Sequence, residues 1–178
     1  VPTKYQSTDD RTLRLSNITF HGSQALRLES VGEKQIDDAL HLALIALAGE
    51  QVGGMRAMFK ITIQYLNTRF QFGEPIGRFQ ALKHMAADLL VDVESASTVA
   101  RIAAQTMASG SGDSELLTYL AAFTCADNFR KVTADAIQLH GGIAYTMEHP
   151  AHLYWRRAQT GQWLYASSDK LRDLYLLE

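Results

Sequence analysis

A single cysteine, Cys125, stands in 178 residues. No disulfide can form within the chain, and that usage fits a reducing cytoplasm. An excess of one charge is also missing. Lys and Arg number 17 against 19 Asp and Glu, a formal net charge of −2, which gives no electrostatic ground for a nucleic acid or an anionic membrane as partner. No apolar run approaches the roughly 20 residues of a membrane span. The charge-free stretch Ala39–Gly49 is too short for one and belongs to an amphipathic helix. The opening Val-Pro-Thr-Lys-Tyr-Gln does not have the pattern of a signal peptide. No Gly-x-Gly-x-x-Gly follows a strand, so a Rossmann nucleotide site is not expected. No glutamate is followed by His at i+3, which removes a ferritin-like di-metal bundle. His149 and His152 are separated by Pro150 and lack an acidic or Cys partner set, so no metal site is expected. Repeats and low-complexity tracts are absent as well, and no Ser–His–acid arrangement is identifiable from the sequence.

What remains is ordinary globular material, 47% apolar and 20% charged. That length suits one domain or slightly more, burying roughly 70% of the unfolded surface. Residues 1–33 read as β: Leu13 and Leu15, then Ile18 and Phe20, alternate about Ser16-Asn17, after a turn signal at Asp9-Asp10. From about Ile36 the period becomes helical. Leu40, Leu44, Ala48, Val52, Met55, Phe59, Ile63 and Leu66 mark one face of a helix running to about Thr68. Within it Gly49, Gly53 and Gly54 each cost up to about 1 kcal/mol against alanine, and they predict close approach of another helix or a ligand, or a mild kink.

A second helix is expected over about Phe79–Ser109, with Leu82, Met85, Ala86, Leu89, Val93 and Ala96 inward. Ser109-Gly-Ser-Gly-Asp113 is a loop, and Asp113 or Ser114 is positioned to cap a third helix over about Ser114–Leu139. Leu116, Leu120, Phe123 and Ile137 are its core candidates, and Gly141-Gly142 ends it. A further helix opens at about Ala151 after Pro150, and a last one covers about Ser168–Leu177. Long helices joined by short loops predict an all-α, antiparallel up-down four-helix bundle over 34–178, with a short β lead-in over 1–33.

The segment that organises the rest is Tyr65–Gln80, Tyr-Leu-Asn-Thr-Arg-Phe-Gln-Phe-Gly-Glu-Pro-Ile-Gly-Arg-Phe-Gln. Gly73, Pro75 and Gly77 turn the chain between the two long helices. Arg69 ends the first helix and is followed by Gln71 between two aromatics. A guanidinium there holds a phosphate or carboxylate in fork geometry, or serves as a structural cation at a surface corner. The stretch resembles the R-x-x-F-G-x-x-I-x-x-F-Q segment in the C-terminal helical domain of acyl-CoA dehydrogenases. Gln138-Leu-His-Gly-Gly-Ile-Ala-Tyr-Thr-Met-Glu-His-Pro150 resembles the same family's Q-x-x-G-G-x-G-Y-x-x-E-x-P, with Ala144 in place of the third glycine. Leu153-Tyr-Trp-Arg-Arg-Ala158 matches its short helix ending in a basic residue and alanine, where Arg156 is expected as a buried ion-pair partner.

The resemblance implies FAD as cofactor. The residues it assigns to the flavin are Arg69, Gln71, Phe72, Phe79, Gln80, Gln138, Leu139, Gly141, Gly142, Ser167 and Asp169, several acting across a subunit boundary. It implies α,β-dehydrogenation of an acyl-CoA thioester, an oligomer (dimer or dimer of dimers), and electron-transfer flavoprotein as redox partner. It also implies that residues 1–33 are the tail of a central β-domain whose remainder lies outside this chain. The family's catalytic carboxylate falls on Tyr165, or on Ala166 with a one-residue shift. The minority position on the first long helix falls on Ala43. None of these is a carboxylate, and Glu50, two turns beyond Ala43, is the nearest acid. Seven helical residues span about 10 Å, too far to substitute, so Glu50 reads as a polar residue at a subunit contact.

Three readings follow: a base-lacking subunit completing the FAD site of a heteromeric enzyme, as in some bacterial members acting on bulky esters such as steroid side-chain intermediates; an active enzyme whose base is Glu50 or lies outside this chain; or a helical bundle for assembly or regulation without flavin. Ala43, Ala46 and Ala48 leave the wall over Leu40–Ala48 unbranched, suited to a group wider than a straight chain.

Overall fold

The computed structural model describes residues 3–110 and 112–177. Its elements are β1 (Thr3–Tyr5), β2 (Ser16–Ile18), α1 (Glu33–Thr68), β3 (Phe70–Gln71), β4 (Glu74–Pro75), a 3-10 turn at Ile76–Arg78, α2 (Gln80–Ser109), α3 (Ser114–His140), a 3-10 turn at Gly141–Tyr145, α4 (Ala151–Gly161) and α5 (Ser168–Leu177). The helix boundaries agree with the sequence pattern to within a few residues. Among the described residues no helix is long and apolar enough to cross a membrane.

α3 is the hub, packed against α1, α2, α4 and α5. The main core joins Met55 and Leu66 of α1, Leu89, Val93 and Ala96 of α2, and Cys125, Phe129 and Val132 of α3. Because α3 is covered on several sides, its burial is not confined to one stripe. Thr118, Ala121, Cys125, Phe129, Val132 and Ala136 are buried, whereas Leu116, Leu120, Phe123 and Ile137, expected inside, are only half-buried. The threonines inside the bundle are satisfied locally. Thr62 and Thr133 donate to the carbonyls of Met58 and Phe129, at 2.9 and 2.8 Å. Of the three glycines expected to mark a close approach on α1, Gly54 does: a Cβ there would meet the Phe129 ring at 2.6 Å, while among the described residues nothing lies within 4 Å at Gly49 or Gly53.

The β lead-in differs from the expected strands. β1 pairs antiparallel with β2, Thr3 opposite Ile18 and Tyr5 opposite Ser16, which leaves Leu13 and Phe20 outside any strand. The cause is Asp10, whose Oδ1 accepts from the Thr12 backbone N–H at 2.9 Å and bends the intervening chain. Asp113 makes no side-chain cap to α3, contrary to expectation. Its backbone (φ −86°, ψ 7°) is not extended, so the carboxylate does not swing over the first turn.

Candidate functional site

The first helix ends in a fixed corner. Arg69 N–H donates to Tyr65 O at 2.9 Å, and the Arg69 carbonyl accepts from Ile76 N–H at 2.8 Å. β3 and β4 pair Phe70 with Pro75 and Gln71 with Glu74, and Phe72 and Gly73 close the hairpin with φ of 55° and 87°. A phenylalanine in the left-handed region is uncommon. Here its ring stands edge-on to Phe79, centroids 5.9 Å apart, and is 92% exposed. The Arg69 backbone is therefore fixed while its side chain is exposed. Among the described residues no ion pair or side-chain hydrogen bond occupies the guanidinium. Arg78, by comparison, is within 3.8 Å of Glu74. Gln71 and Gln80 are exposed on the same corner, with Gln80 Nε2 lying 3.5 Å from His84 Nε2.

The end of α3 abuts this corner. The Tyr65 ring, one turn before Arg69, lies 4.6 Å from that of His140, the residue before the diglycine. The His140 ring in turn lies 4.5 Å from that of His149, tilted by 55°. Its Nδ1–H donates to Ala136 O at 2.7 Å, which leaves a bare Nε2 that is buried and unpartnered. Burial, opposed by the bond to Ala136, pushes the His140 pKa down, and the neighbouring His149 lowers it further. Gly141 takes φ +65°, a conformation that side chains rarely adopt, and nothing lies within 4 Å of where a Cβ would stand on Gly141 or Gly142. Gln138 is exposed one turn before this open backbone. Tyr65 and His140 thus bring the arginine corner and the diglycine stop together, a link visible in the sequence only as an aromatic one turn before Arg69 and an imidazole at the helix end.

Other expected residues are placed differently. Leu139 is 5% exposed and sits in the main core, so only its backbone could meet a ligand. Ser167 and Asp169 stand at the start of α5. Ser167 Oγ accepts from Lys170 N–H at 3.3 Å, and Asp169 accepts from Arg172 at 3.2 Å. Arg172 also binds Asp127 at 2.6 Å, and Asp127 precedes Gln138 by about 16 Å of helix, so this pair lies apart from the corner. Glu50 is not a free acid. Its oxygens accept from Arg157 Nε and Nη2 at 2.6 and 2.8 Å. The ion-pair partner on α4 is therefore Arg157, not Arg156, which donates to the Asp9 carbonyl at 2.9 Å. Cys125 is no nucleophile: burial pushes its thiol up to about 12.

Residues 31–174 match the family model described as "Acyl-CoA dehydrogenase, C-terminal domain". The chain belongs to the acyl-CoA dehydrogenase family. It is 41% identical over 133 residues to acyl-CoA dehydrogenase IpdE2 of Mycolicibacterium smegmatis, a match covering 74% of this chain and 41% of that protein. It therefore spans about two fifths of the length of such relatives. Among solved structures, the Tcur3481–Tcur3483 steroid ACAD G363A variant superposes with a TM-score of 0.87 at 25% identity, over 98% of this chain and 47% of that one. Butyryl-CoA dehydrogenase from Megasphaera elsdenii gives 0.77 at 25% identity, over 82% and 39%. The family is one of FAD-dependent oxidoreductases acting on CH–CH bonds, and the all-α bundle is the fold of its C-terminal domain.

Proposed function

We propose that this chain is a subunit of an FAD-dependent acyl-CoA dehydrogenase that lacks the family's carboxylate base and completes the flavin site of a base-bearing partner. The observation that carries the reading is the pairing, through Tyr65 and His140, of an uncommitted Arg69 guanidinium with an open diglycine turn. A diphosphate needs both parts: a fork of donors for its charge, and backbone that a ligand approaches without a Cβ between. Arg69 would hold the pyrophosphate, and Gln71, Gln80 and Gln138 would hydrogen-bond the dinucleotide's polar edges. Phe72 and Phe79 would flank it, and Gly141, Gly142 and the Leu139 backbone would line it. Ser167 and Asp169, separate from that corner, would reach a neighbouring region of the cofactor. The bound flavin supplies the hydride acceptor for α,β-dehydrogenation.

The missing base is the second support. Tyr165, Ala166 and Ala43 stand at the family's base positions, and the Glu50 carboxylate is held by Arg157. A hydroxyphenyl or methyl group does not take an α-proton near neutral pH as a carboxylate does. The similar Tcur3481–Tcur3483 steroid ACAD supports a heteromeric assembly acting on a bulky acyl-CoA. Residues 1–33 then represent the end of a central β-domain, and electron-transfer flavoprotein is the fitting acceptor of the electrons. Mass spectrometry of the native assembly tests this. The expected result is bound FAD together with a second dehydrogenase-like polypeptide. A flavin-free assembly would overturn the cofactor reading, and dye reduction by this chain alone would overturn the base-lacking one.

A further inference from the structure

His140 is the last residue of α3 and is 3% exposed. The Tyr65 ring of α1 and the His149 ring of the loop before α4 lie 4.6 and 4.5 Å from its own. A carbonyl oxygen only accepts, so the bond to Ala136 O at 2.7 Å places a proton on Nδ1. The other nitrogen, Nε2, is buried and has no hydrogen-bond partner among the described residues. Burial is the main force against a second proton there, the Ala136 carbonyl favours one, and His149 opposes it. His149 is itself held down by burial and by His152. The negative end of the α3 dipole favours a cation at this position, whereas Arg69, one turn beyond Tyr65, does not. Among the described residues no carboxylate pairs with His140, and Glu148, beside His149 in the chain, is exposed. The imidazole is therefore neutral at pH 7, and the one influence lacking around it is an anion.

We propose that His140 takes a proton from solvent onto Nε2 when a dinucleotide diphosphate settles between Arg69 and the diglycine turn, so that the bound anion faces two cations where the free chain holds one. The inference rests on the cofactor reading above and adds a proton to it. His140 directly precedes Gly141, with about 3.8 Å between their Cα atoms. Tyr65, against its ring, precedes Arg69 by about 6 Å of helix. The imidazole is thus joined to both halves of the cradle, and a buried charge acts over such distances with little screening. His140 acts by its charge and by positioning the turn, without touching the ligand. The internal diphosphate of FAD has no phosphomonoester, so it does not titrate near neutral pH, and a pH dependence of binding reports the protein.

FAD is titrated into the flavin-stripped native assembly at pH 6 and pH 8 and followed by flavin fluorescence. Affinity is expected to be at least about threefold higher at pH 6, one linked proton setting a ceiling of about tenfold per pH unit. Calorimetry in two buffers of different ionisation enthalpy should show net proton uptake. His140→Asn keeps a donor for the Ala136 carbonyl but cannot titrate. It should match the unmodified assembly at pH 8, where His140 is unprotonated, and lose the gain at pH 6, whereas a merely structural role would lower both affinities alike. His84, exposed and with Nε2 3.5 Å from Gln80 Nε2, and His149 are the other imidazoles near the site, and His84→Gln and His149→Gln should each keep the pH dependence. If His140→Asn does not assemble, proton uptake that survives in both of those variants carries the test. Equal affinity at the two pH values, no proton uptake, a pH dependence that survives His140→Asn, or one that vanishes in either of the other variants would overturn the inference and leave the cofactor reading standing. An assembly that binds no FAD at either pH would overturn both.

Discussion

Arg157 grips Glu50 in a fork, two bonds of 2.6 and 2.8 Å between residues 107 apart in sequence. The same guanidinium lies 3.5 Å from Asp10 Oδ2, a carboxylate only 1% exposed. One side chain therefore ties α4 to α1 and to the β lead-in, and the Glu50 hydrogen bond is the main cause of its raised pKa. Removing it would strand the charge of Asp10. Arg157→Met is expected to cost about 3 kcal/mol, the scale of breaking a buried pair from one side. Glu50→Gln, at the exposed end of the fork, is expected to cost no more than about 1 kcal/mol. Urea unfolding of the two variants checks the order, and equal effects would mean that Asp10 is not held by Arg157.

Adjacent glycines on α1 should respond in opposite directions. At Gly54 an added methyl would sit 2.6 Å from the Phe129 ring, whose side chain is itself buried in the core. Gly54→Ala is expected to destabilise by about 1–3 kcal/mol through overpacking. At Gly53 there is nothing within 4 Å, so Gly53→Ala should gain roughly 0.5–1 kcal/mol from helix propensity. Thermal unfolding of the two single variants distinguishes them, and a loss at Gly53 would point to an unseen contact on that face.

Helix positions were legible because periodicity and Gly or Pro stops are local signals. The side chains' partners were not. Arg156 and Arg157 are adjacent and chemically alike, and only the docking of α4 decides which one reaches Glu50. Leu139 belongs to the diglycine motif in sequence, but the helical turn aims it into the core rather than at a ligand. On α3 the inward set was misread because a hub helix packed on several sides loses the contrast between its faces. The motif residues Arg69 and Gln138 were legible as motifs, whereas the Tyr65–His140 stack that joins their helix ends is a tertiary fact.

Acid should loosen the core at that stack. The buried His140 has its pKa pushed below the ordinary 6.5, with burial the largest cause. The unfolded chain therefore binds the proton more readily than the native one. Stability is full above pH 6.5 and falls as pH drops from there toward the native value, by at most about 1.4 kcal/mol per pH unit for one proton. His149 is lowered as well, through burial and then His152, and adds in the same direction. Urea midpoints at pH 7.5 and 5.5 should separate, and His140→Phe should narrow the gap. An identical pH dependence in that variant would remove His140 as the cause.

Arg69 is the residue on which the cofactor reading is most exposed. Arg78, in the 3-10 turn that follows the hairpin, faces Glu74 within 3.8 Å, so among the described residues the corner carries one cation with a carboxylate nearby and one without. If Arg69 pairs a flavin diphosphate in the assembled enzyme, Arg69→Ala should weaken FAD retention by about 2–5 kcal/mol, since the phosphate charge is left desolvated and unpaired. Arg69→Lys should recover only part of that loss, because an ammonium cannot form the planar fork. Arg78→Ala serves as the control, removing a charge from the same corner without touching Arg69, and should leave retention nearly unchanged. The measurement is flavin content of the purified assembly after gel filtration. Equal flavin content in the Arg69 and Arg78 variants would mean that general positive charge, or nothing on this corner, holds the cofactor.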